Sequence, residues 1–408
     1  MSEVANIPKH WQLKQLGKVC DKISLNGIKI KQKDYLQKGK FPVVDQGQEM
    51  IGGYFNDEKL VVPSEPPYII FGDHTKVKKF INFKFIAGAD GIKVLKPHPI
   101  YDPKFFYYLI HTVKIPDKGY ARHFQFLQIE EIPIPPLPEQ QAIVAKIEEL
   151  LSDLENGKQQ LQTAQQQLKV YRQSLLKWAF EGKLTNKNVK AGELPKGWKL
   201  VKIEDVATVG TGATPLKGNN KYYDGGEIAW VTSGALNDEF VKEATDFVTE
   251  LALKETNLSV YPKNTLLLAM YGEGKTRGKC SELLIKATTN QAIAAIHFKN
   301  KDNRVKPFLK YFLLKNYNDI RRLSSGGVQP NLNLGIVKKT LIPLPPIAEQ
   351  QLIVSELESK LTVCDKIEET ISQSLQQAET LRQSILKKAF EGKLVQTEVF
   401  TNKKKELV

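Results

Sequence analysis

Residues 132–184 open with IPIPPLPEQQAIVAKIEELL and close with YRQSLLKWAFEGKL; residues 342–394 open with IPLPPIAEQQLIVSELESKL and close with LRQSILKKAFEGKL. The second stretch is the first written again. Glu139 falls on Glu349 and Leu184 on Leu394, both at an offset of 210 and without a gap. A repeat of this kind decides the architecture before any single residue does. Another repeat opens each half: IPKHWQLKQLGKV (7–19) answers LPKGWKLVKIEDV (194–206), pairing Trp11 with Trp198 at an offset of 187. The offset grows by 23 along the unit, so the added length lies in the second globular segment. The expected order is globular 1–131, helical 132–184, globular 185–341, helical 342–394 and a tail, 395–408.

The repeated stretches read as helices. Pro133, Pro135, Pro136 and Pro138 form a stiff extended lead-in that gives way to helix at Glu139. Ile143, Ile147, Leu150, Leu154, Leu161, Ala164, Leu168, Tyr171, Leu175 and Trp178 then recur in steps of four and three, with Gly157 in the vacant slot. That is coiled-coil spacing over about five heptads. The second row is Ile353, Leu357, Lys360, Cys364, Ile367, Ile371, Ser374, Ala378, Leu381, Ile385 and Lys388. Its lysines and serine share one alternate heptad position, so it is expected to pair with the richer helix of its own chain. Gly182 and Gly392 in the twin EGKL ends are expected stops. Two copies of one helix packed antiparallel are related by an approximate twofold axis, which places a globular segment at each end in inverted orientation.

The globular segments echo one another more weakly. Asp102-Pro103 precedes FFYYLIHT as a helix cap and first helical residue, and Pro307 similarly opens FLKYFLLKNY. Strand-like runs correspond as well: PYIIFGDHT (67–75) with TLLLAMYGEGKT (265–276), and ADGIKVL (89–95) with TNQAIAAIHF (289–298). The expected fold is α+β: two globular α/β domains, each followed by a long helix, the two helices pairing as an antiparallel coiled coil.

Composition narrows the partners. A hydrophobic share of 41% and a charged share of 25% sit near globular averages, so disorder is not the default. The 59 basic against 45 acidic residues give +14, which invites a polyanion. Cys20, Cys280 and Cys364 lie far apart with no C-x-x-C pair, against a disulfide framework or zinc site and in keeping with a reducing cytosol. The N-terminal MSEVANIPKH lacks the apolar core of a signal peptide, and no apolar run approaches the roughly 20 residues of a membrane helix. A soluble, cytoplasmic protein without a membrane partner is expected.

Motifs that suggest catalysis do not hold together. YGEGKT (271–276) ends like a phosphate-binding loop, but the full motif needs glycine where Ala269 stands and a helix where RGKCSE follows. GTGATPLKG is a turn-rich loop of the same weak kind. No histidine pair has zinc-binding spacing, and Asp73-His74 has no nucleophile beside it. No catalytic or metal-binding residue is therefore assigned. What remains is a set of polar loops suited to duplex contact. In the first domain these carry Lys29, Lys31, Lys33, Gln46, Gln48, His74, Lys76, Lys78, Lys79, Arg122 and His123. In the second they carry Thr211, Thr214, Lys217, Asn219, Asn220, Lys221, Thr232, Ser233, Lys275, Arg277, Lys279, Asn290, Gln291, Arg321 and Arg322. Lys and Arg neutralise phosphates, while Asn, Gln, Arg and His can bond base edges in pairs. Asn290 and Gln291 can equally tie strands together, and the lysine tail 403–405 suits plain solvation. A helix of about 40 residues spans about 60 Å, or roughly 17 base pairs, an upper bound on the separation of two half-sites because the domains can fold inward.

With these motifs in view, the chain resembles the specificity (S) subunits of type I restriction–modification systems. The likeness rests on IPxPPLPEQQxIV, LPxGW and AFEGKL, each used twice. GTGATP (210–215), YYDGGEIAWVTSG (222–234), YPKNTLLLAMYGEG (261–274) and ATTNQAIAAI (287–296) resemble one recognition-domain pattern of that family, and FPVVDQGQ, YIIFGDHT and GADGIKVL another. It covers almost the whole chain up to about Leu394. The resemblance implies that each globular domain is a target-recognition domain reading half of an interrupted double-stranded DNA target. It implies that the helices set the gap and dock two methyltransferase (M) subunits, which restriction (R) subunits join. S-adenosylmethionine, ATP and Mg would be held by those partners, and this chain would bind no cofactor and catalyse nothing. Two rivals share the repeats: a specificity subunit of a related methylation system without a type I nuclease, and a long-helix scaffold that binds protein only.

Overall fold

A computed structural model describes residues 7–116, 118–119, 121–186, 188–190, 192–272, 275–298, 302–322 and 332–395. It divides into two compact units, Met1–Gln162 with Ile371–Val408, and Thr163–Thr370. Each unit takes its globular part from one stretch of chain and its helical part from both long helices.

In the first unit the strand Tyr68–Gly72 is buried along its whole length, as a short uninterrupted apolar run allows. Alternate side chains serve two cores. Ile69 and Phe71 pack with Phe105, Phe106 and Leu109 of the helix Pro103–Thr112, while Tyr68 and Ile70 pack with Val44, Phe85 and Ala87. The strand lies in an antiparallel sheet ordered Cys20–Lys22, Ile92–Pro97, Tyr68–Gly72, Lys78–Ile81. A second sheet runs Lys29–Ile30, Ile86–Gly88, Phe41–Val44, Gly53–Phe55, with parallel neighbours on both sides of Ile86–Gly88. Asp102 caps the helix as its sequence suggests, its Oδ1 accepting from the backbone N–H of Lys104 at 2.9 Å and Phe105 at 3.0 Å.

The second unit repeats this plan. Leu266 and Leu268 of the strand Leu266–Ala269 pack with Phe308, Leu309 and Phe312, while Leu267 and Ala269 pack with Val231, Leu236 and Val241. The main sheet is ordered Thr208–Thr211, Ile293–His297, Leu266–Ala269, Cys280–Leu283, Phe240–Val241. A smaller sheet sets Ile228–Val231 between Asp246–Val248 and, in parallel, Thr288–Thr289.

The twin motifs are the joints between globe and helix. In the first unit Gln12–Gln15 pairs with Glu131–Ile134, and Trp11 Nε1 donates to Glu139 Oε1 at 3.1 Å, with His10 Nε2 2.9 Å from the other oxygen. In the second, Lys199–Lys202 pairs with Leu341–Leu344, and Trp198 Nε1 donates to Glu349 Oε2 at 3.0 Å. Gly182 and Gly392 adopt φ of +72° and +71°. A Cβ there would meet Pro195 at 2.2 Å and Pro8 at 2.3 Å, so both positions need glycine on two counts.

The long helices span Leu137–Phe180 and Ile347–Phe390. The first begins two residues ahead of Glu139, because Pro138 fits a first helical turn. Within the first unit Ile143 and Ile147, near the start of one helix, cluster with Leu386, Ala389 and Phe390, at the end of the other. Within the second, Leu168, Leu175, Ala179 and Phe180 cluster with Ile353, Leu357 and Cys364. Start meets end both times, so the pair is an antiparallel coiled coil. Ile371 and Ile385 are also buried, and Leu150, Leu154 and Leu161 are half-buried.

Part of the expected heptad row is corrected. Tyr171, Trp178, Ile367 and Leu381 face solvent, at 43%, 41%, 44% and 51% exposure. The inward row runs one residue later, through Arg172 and Ala179 on the first helix and Glu368 and Ala389 on the second. Steps of four and three admit two rows that share every other member. On the inward row Arg172 donates to Asp365 at 2.6 Å and Glu368 at 3.1 Å.

Candidate nucleic-acid interface

In each unit the loops that follow the central strand and the parallel strand pair converge. Asp73, 2% exposed, ties three of them together in the first unit. Its backbone N–H donates to Gly91 O at 2.6 Å and its carbonyl accepts from His123 N at 2.8 Å. Its Oδ1 accepts from Phe124 N at 2.8 Å, and Oδ2 pairs with Lys93 at 3.0 Å. The loop after Phe41–Val44 joins this group. Gln46 Oε1 accepts from His74 N at 3.2 Å, and Thr75 Oγ1 donates to the Gln46 carbonyl at 2.8 Å. Gly91, with φ of +76°, leaves the room these side chains occupy: a Cβ there would meet His74 at 2.7 Å and Gln46 at 2.8 Å.

The structure thus brings Gln46 and His74 together, with Gln48 and Arg122 exposed on flanking loops. Lys31 and Lys33 are exposed on a turn held by Tyr35, whose hydroxyl donates to Asp45 Oδ2 at 3.2 Å. Lys76 and Lys78 are half-buried, and burial, helped by the Lys76 charge, pulls the Lys78 amine below its ordinary pKa. Two expected contacts are withdrawn. His123 is fully buried with Nδ1 3.0 Å from Asp73 O, and Lys79 is 3% exposed with Nζ donating to the Asp45 and Glu49 carbonyls. Both support the loops from beneath.

The second unit secures the same loops with hydroxyls and amides. Thr211 Oγ1 donates to Ile293 O at 2.7 Å and Thr214 Oγ1 to Gln291 Oε1 at 2.5 Å. Asn290 Oδ1 accepts from Ala292 N at 3.1 Å, a local turn, and it is Gln291 that joins this loop to the one carrying Thr214. Lys217, Asn220 and Lys221 are exposed, and Asn219 caps their turn through Lys221 N at 3.3 Å. Thr232 and Ser233 are half-buried after Ile228–Val231. A basic group gathers around Tyr317, whose hydroxyl donates to Lys275 O at 2.7 Å and whose ring lies 5.1 Å from the Arg321 guanidinium. Arg321 also donates to Arg277 O at 2.6 Å, Lys279 Nζ donates to Asn237 Oδ1 at 2.8 Å, and Arg322 is exposed. The YGEGKT stretch connects two antiparallel strands, Leu266–Ala269 and Cys280–Leu283, with no helix after it; its Glu273 and Gly274 lie outside the described residues, as does the lysine tail. Sequence reasoning missed Asp73 as an organiser and Tyr317 altogether. A charged residue directly after a buried strand was the available signal for the first; none marked the second.

No helix among the described residues is long and apolar enough to cross a membrane. The family model for the type I restriction modification DNA specificity domain matches residues 8–163 and 195–377. The specificity subunit of Escherichia coli EcoR124I/EcoR124II is 24% identical over 363 residues, covering 85% of this chain and 86% of its own. That of Methanocaldococcus jannaschii MjaVIII is 23% identical, covering 95% and 94%. Among solved structures, the HsdS subunit of Thermoanaerobacter tengcongensis superposes with a TM-score of 0.61 at 19% identity, over 96% of this chain and 100% of that one. A second, from a study of complex assembly and conformational transition in the type I R-M system, gives 0.69 at 18% over 95% and 99%. A globular frame built twice, each copy packed on parts of both long helices, is thus joined to a match over most of the sequence, and the chain belongs to the type I restriction–modification specificity subunits, the non-catalytic members of those systems.

Proposed function

We propose that the chain reads an interrupted, two-part double-stranded DNA target in the cytoplasm, one part with each globular domain. The domains 1–131 and 185–341 act as target-recognition domains, and the helical segments 132–184 and 342–394 hold them at a set separation. Methyltransferase and restriction subunits dock on this frame and supply the S-adenosylmethionine, ATP and Mg that the reactions need. The observation that carries the reading is one frame built twice with different loop chemistry, which suits two dissimilar half-sites. The net charge of +14 favours the duplex as a whole. Lys31, Lys33, Lys76, Arg122, Lys217, Lys221, Lys275 and Arg322 are the phosphate contacts of this proposal. Gln46, Gln48, His74, Asn220, Ser233 and Arg277 are its base-edge contacts.

Replacing residues 1–131 with those of another specificity subunit tests it. Methylated adenines mapped across the genome should show one new half-site, the other half-site retained and the spacer unchanged. A folded, DNA-binding chimera that loses both half-sites counts against independent reading heads.

A further inference from the structure

Gln46 stands on the loop after Phe41–Val44, and its side chain is wedged against two glycines. A Cβ on Gly72 would come within 3.0 Å of Gln46 Cβ. One on Gly91 would come within 2.8 Å of Oε1 and 2.9 Å of Nε2. The amide is therefore held in place, and elementary chemistry decides which way round. The atom 3.2 Å from the backbone nitrogen of His74 must be the oxygen, because a backbone N–H can only donate. Oε1 is thus spent inside the frame. Nε2 has no acceptor among the described residues and is not sealed from solvent.

Other loop glutamines are not fixed in this way. Gln291 meets the Thr214 hydroxyl at 2.5 Å, and a hydroxyl can donate or accept. Gln48 is exposed, with neither end of its amide tied among the described residues. The carboxylate beside Gln46 is occupied within the frame as well. Asp45 Oδ1 accepts from Gly47 N at 2.8 Å and Oδ2 from the Tyr35 hydroxyl at 3.2 Å.

We propose that Gln46 offers donors alone to the duplex and reads guanine in the major groove. The proposal rests on the DNA-reading role of the first domain and names the base selected there. On its major-groove edge guanine shows two neighbouring acceptors, N7 and O6, which the two N–H bonds of Nε2 can share. Cytosine shows a donor amino group, and adenine sets one beside its single acceptor. Thymine shows one acceptor beside a methyl group. The paired contact that a free glutamine makes with adenine needs Oε1, which His74 N–H already holds.

Gln46→Glu on the full chain, assembled with its methyltransferase partner, tests this. One carboxylate oxygen can keep the His74 N–H while the other replaces the outward donor with an acceptor, which suits the cytosine amino group. Competition binding to duplexes carrying each base pair at each position reads the preference, and mapped methylated adenines give the target in the cell. The unaltered complex should prefer guanine at one position of the half-site assigned by exchanging residues 1–131, by about tenfold or more. Gln46→Glu should move that preference to cytosine, with the other half-site and the spacer unchanged. Gln46→Met, which fills similar space without a donor, should leave the position degenerate. A first-domain half-site built only of A·T pairs overturns the proposal. So does a guanine preference that survives in either variant. Equal weakening on every duplex would assign Gln46 to a phosphate and overturn base reading by it. An unaltered complex with no sequence preference at all overturns both this proposal and the reading beneath it.

Discussion

Asp73 and Met270 occupy the same place in the two globular domains. Each stands two residues beyond a paired strand position, Phe71 opposite Lys93 and Leu268 opposite Ala294. Asp73 N–H donates to Gly91 O and Met270 N–H to Ala292 O, at 2.6 and 2.7 Å. Their carbonyls accept from His123 and Leu332. The backbone role is identical, yet one side chain is a paired carboxylate and the other a buried thioether, 2% exposed in each case. The frame is therefore indifferent to what fills this point, provided the filling matches its surroundings. Lys93 makes the aspartate tolerable, and Ala294 leaves room for the methionine. Divergence between the domains is local compensation on a common backbone.

The comparison breaks most severely at Met270→Asp. A carboxylate there would be buried with alanine where the lysine stands in the first unit, at a cost of about 4 kcal/mol or more. Denaturant unfolding should show the loss in Thr163–Thr370, and methylation of the second half-site should fail first. Adding Ala294→Lys should recover part of it. A Met270→Asp chain as stable as the parent would mean the two sites are not equivalent.

The reverse change, Asp73→Met, should cost less, about 2–3 kcal/mol. It leaves Phe124 N–H without its acceptor and Lys93 without its partner, but Lys93 has 26% of its side chain in solvent and can stay hydrated. The same unfolding measurement ranks the two substitutions, and the smaller loss at Asp73 is the discriminating result.

How much of this was legible in the sequence follows from what repeats and what does not. Glu139, Trp11, Gly182 and their counterparts are legible because each joint uses side chains found nowhere else in that order. The central strands are legible because burial on both faces demands uninterrupted apolar runs. The alternate heptad row was misplaced by one residue because Tyr171 and Ile367 look more buried than Arg172 and Glu368. The ion pair between the last two, with Asp365, and the burial of Ala179 and Ala389 show which row faces inward. Loop residues are harder still. His74 and His123 are both polar residues near the ends of loops, and one carries Gln46 while the other is sealed under Asp73. Nothing in their local sequence separates them, since burial there is set by chain 50 residues away.

That ion pair gives the smallest and finest test of the comparison. Arg172 has its repeat equivalent in Arg382, but the acids it meets do not repeat. Asp365 corresponds to Glu155 and Glu368 to Lys158, and Lys158 Nζ lies 3.4 Å from Glu155. The acid at the repeat-equivalent place is thus already paired with a lysine, and the charge of Arg382 acts on Tyr107, Tyr108 and His111 instead. Arg172→Ala should destabilise the chain by about 0.5–1 kcal/mol, the modest figure reflecting that Asp365 and Glu368 are 67% and 42% exposed. Arg382→Ala should change stability by about 0.5 kcal/mol or less. Raising the salt should shrink the Arg172 effect toward the Arg382 one, because exposed partners are screened within about 10 Å at 0.1 M. A double-mutant cycle on Arg172 and Glu368 isolates the pair, and the larger coupling belongs at low salt. Equal costs at the two arginines would show that charge pairing does not choose the helix register, leaving the fit of Ala179 and Ala389 between the helices to do so.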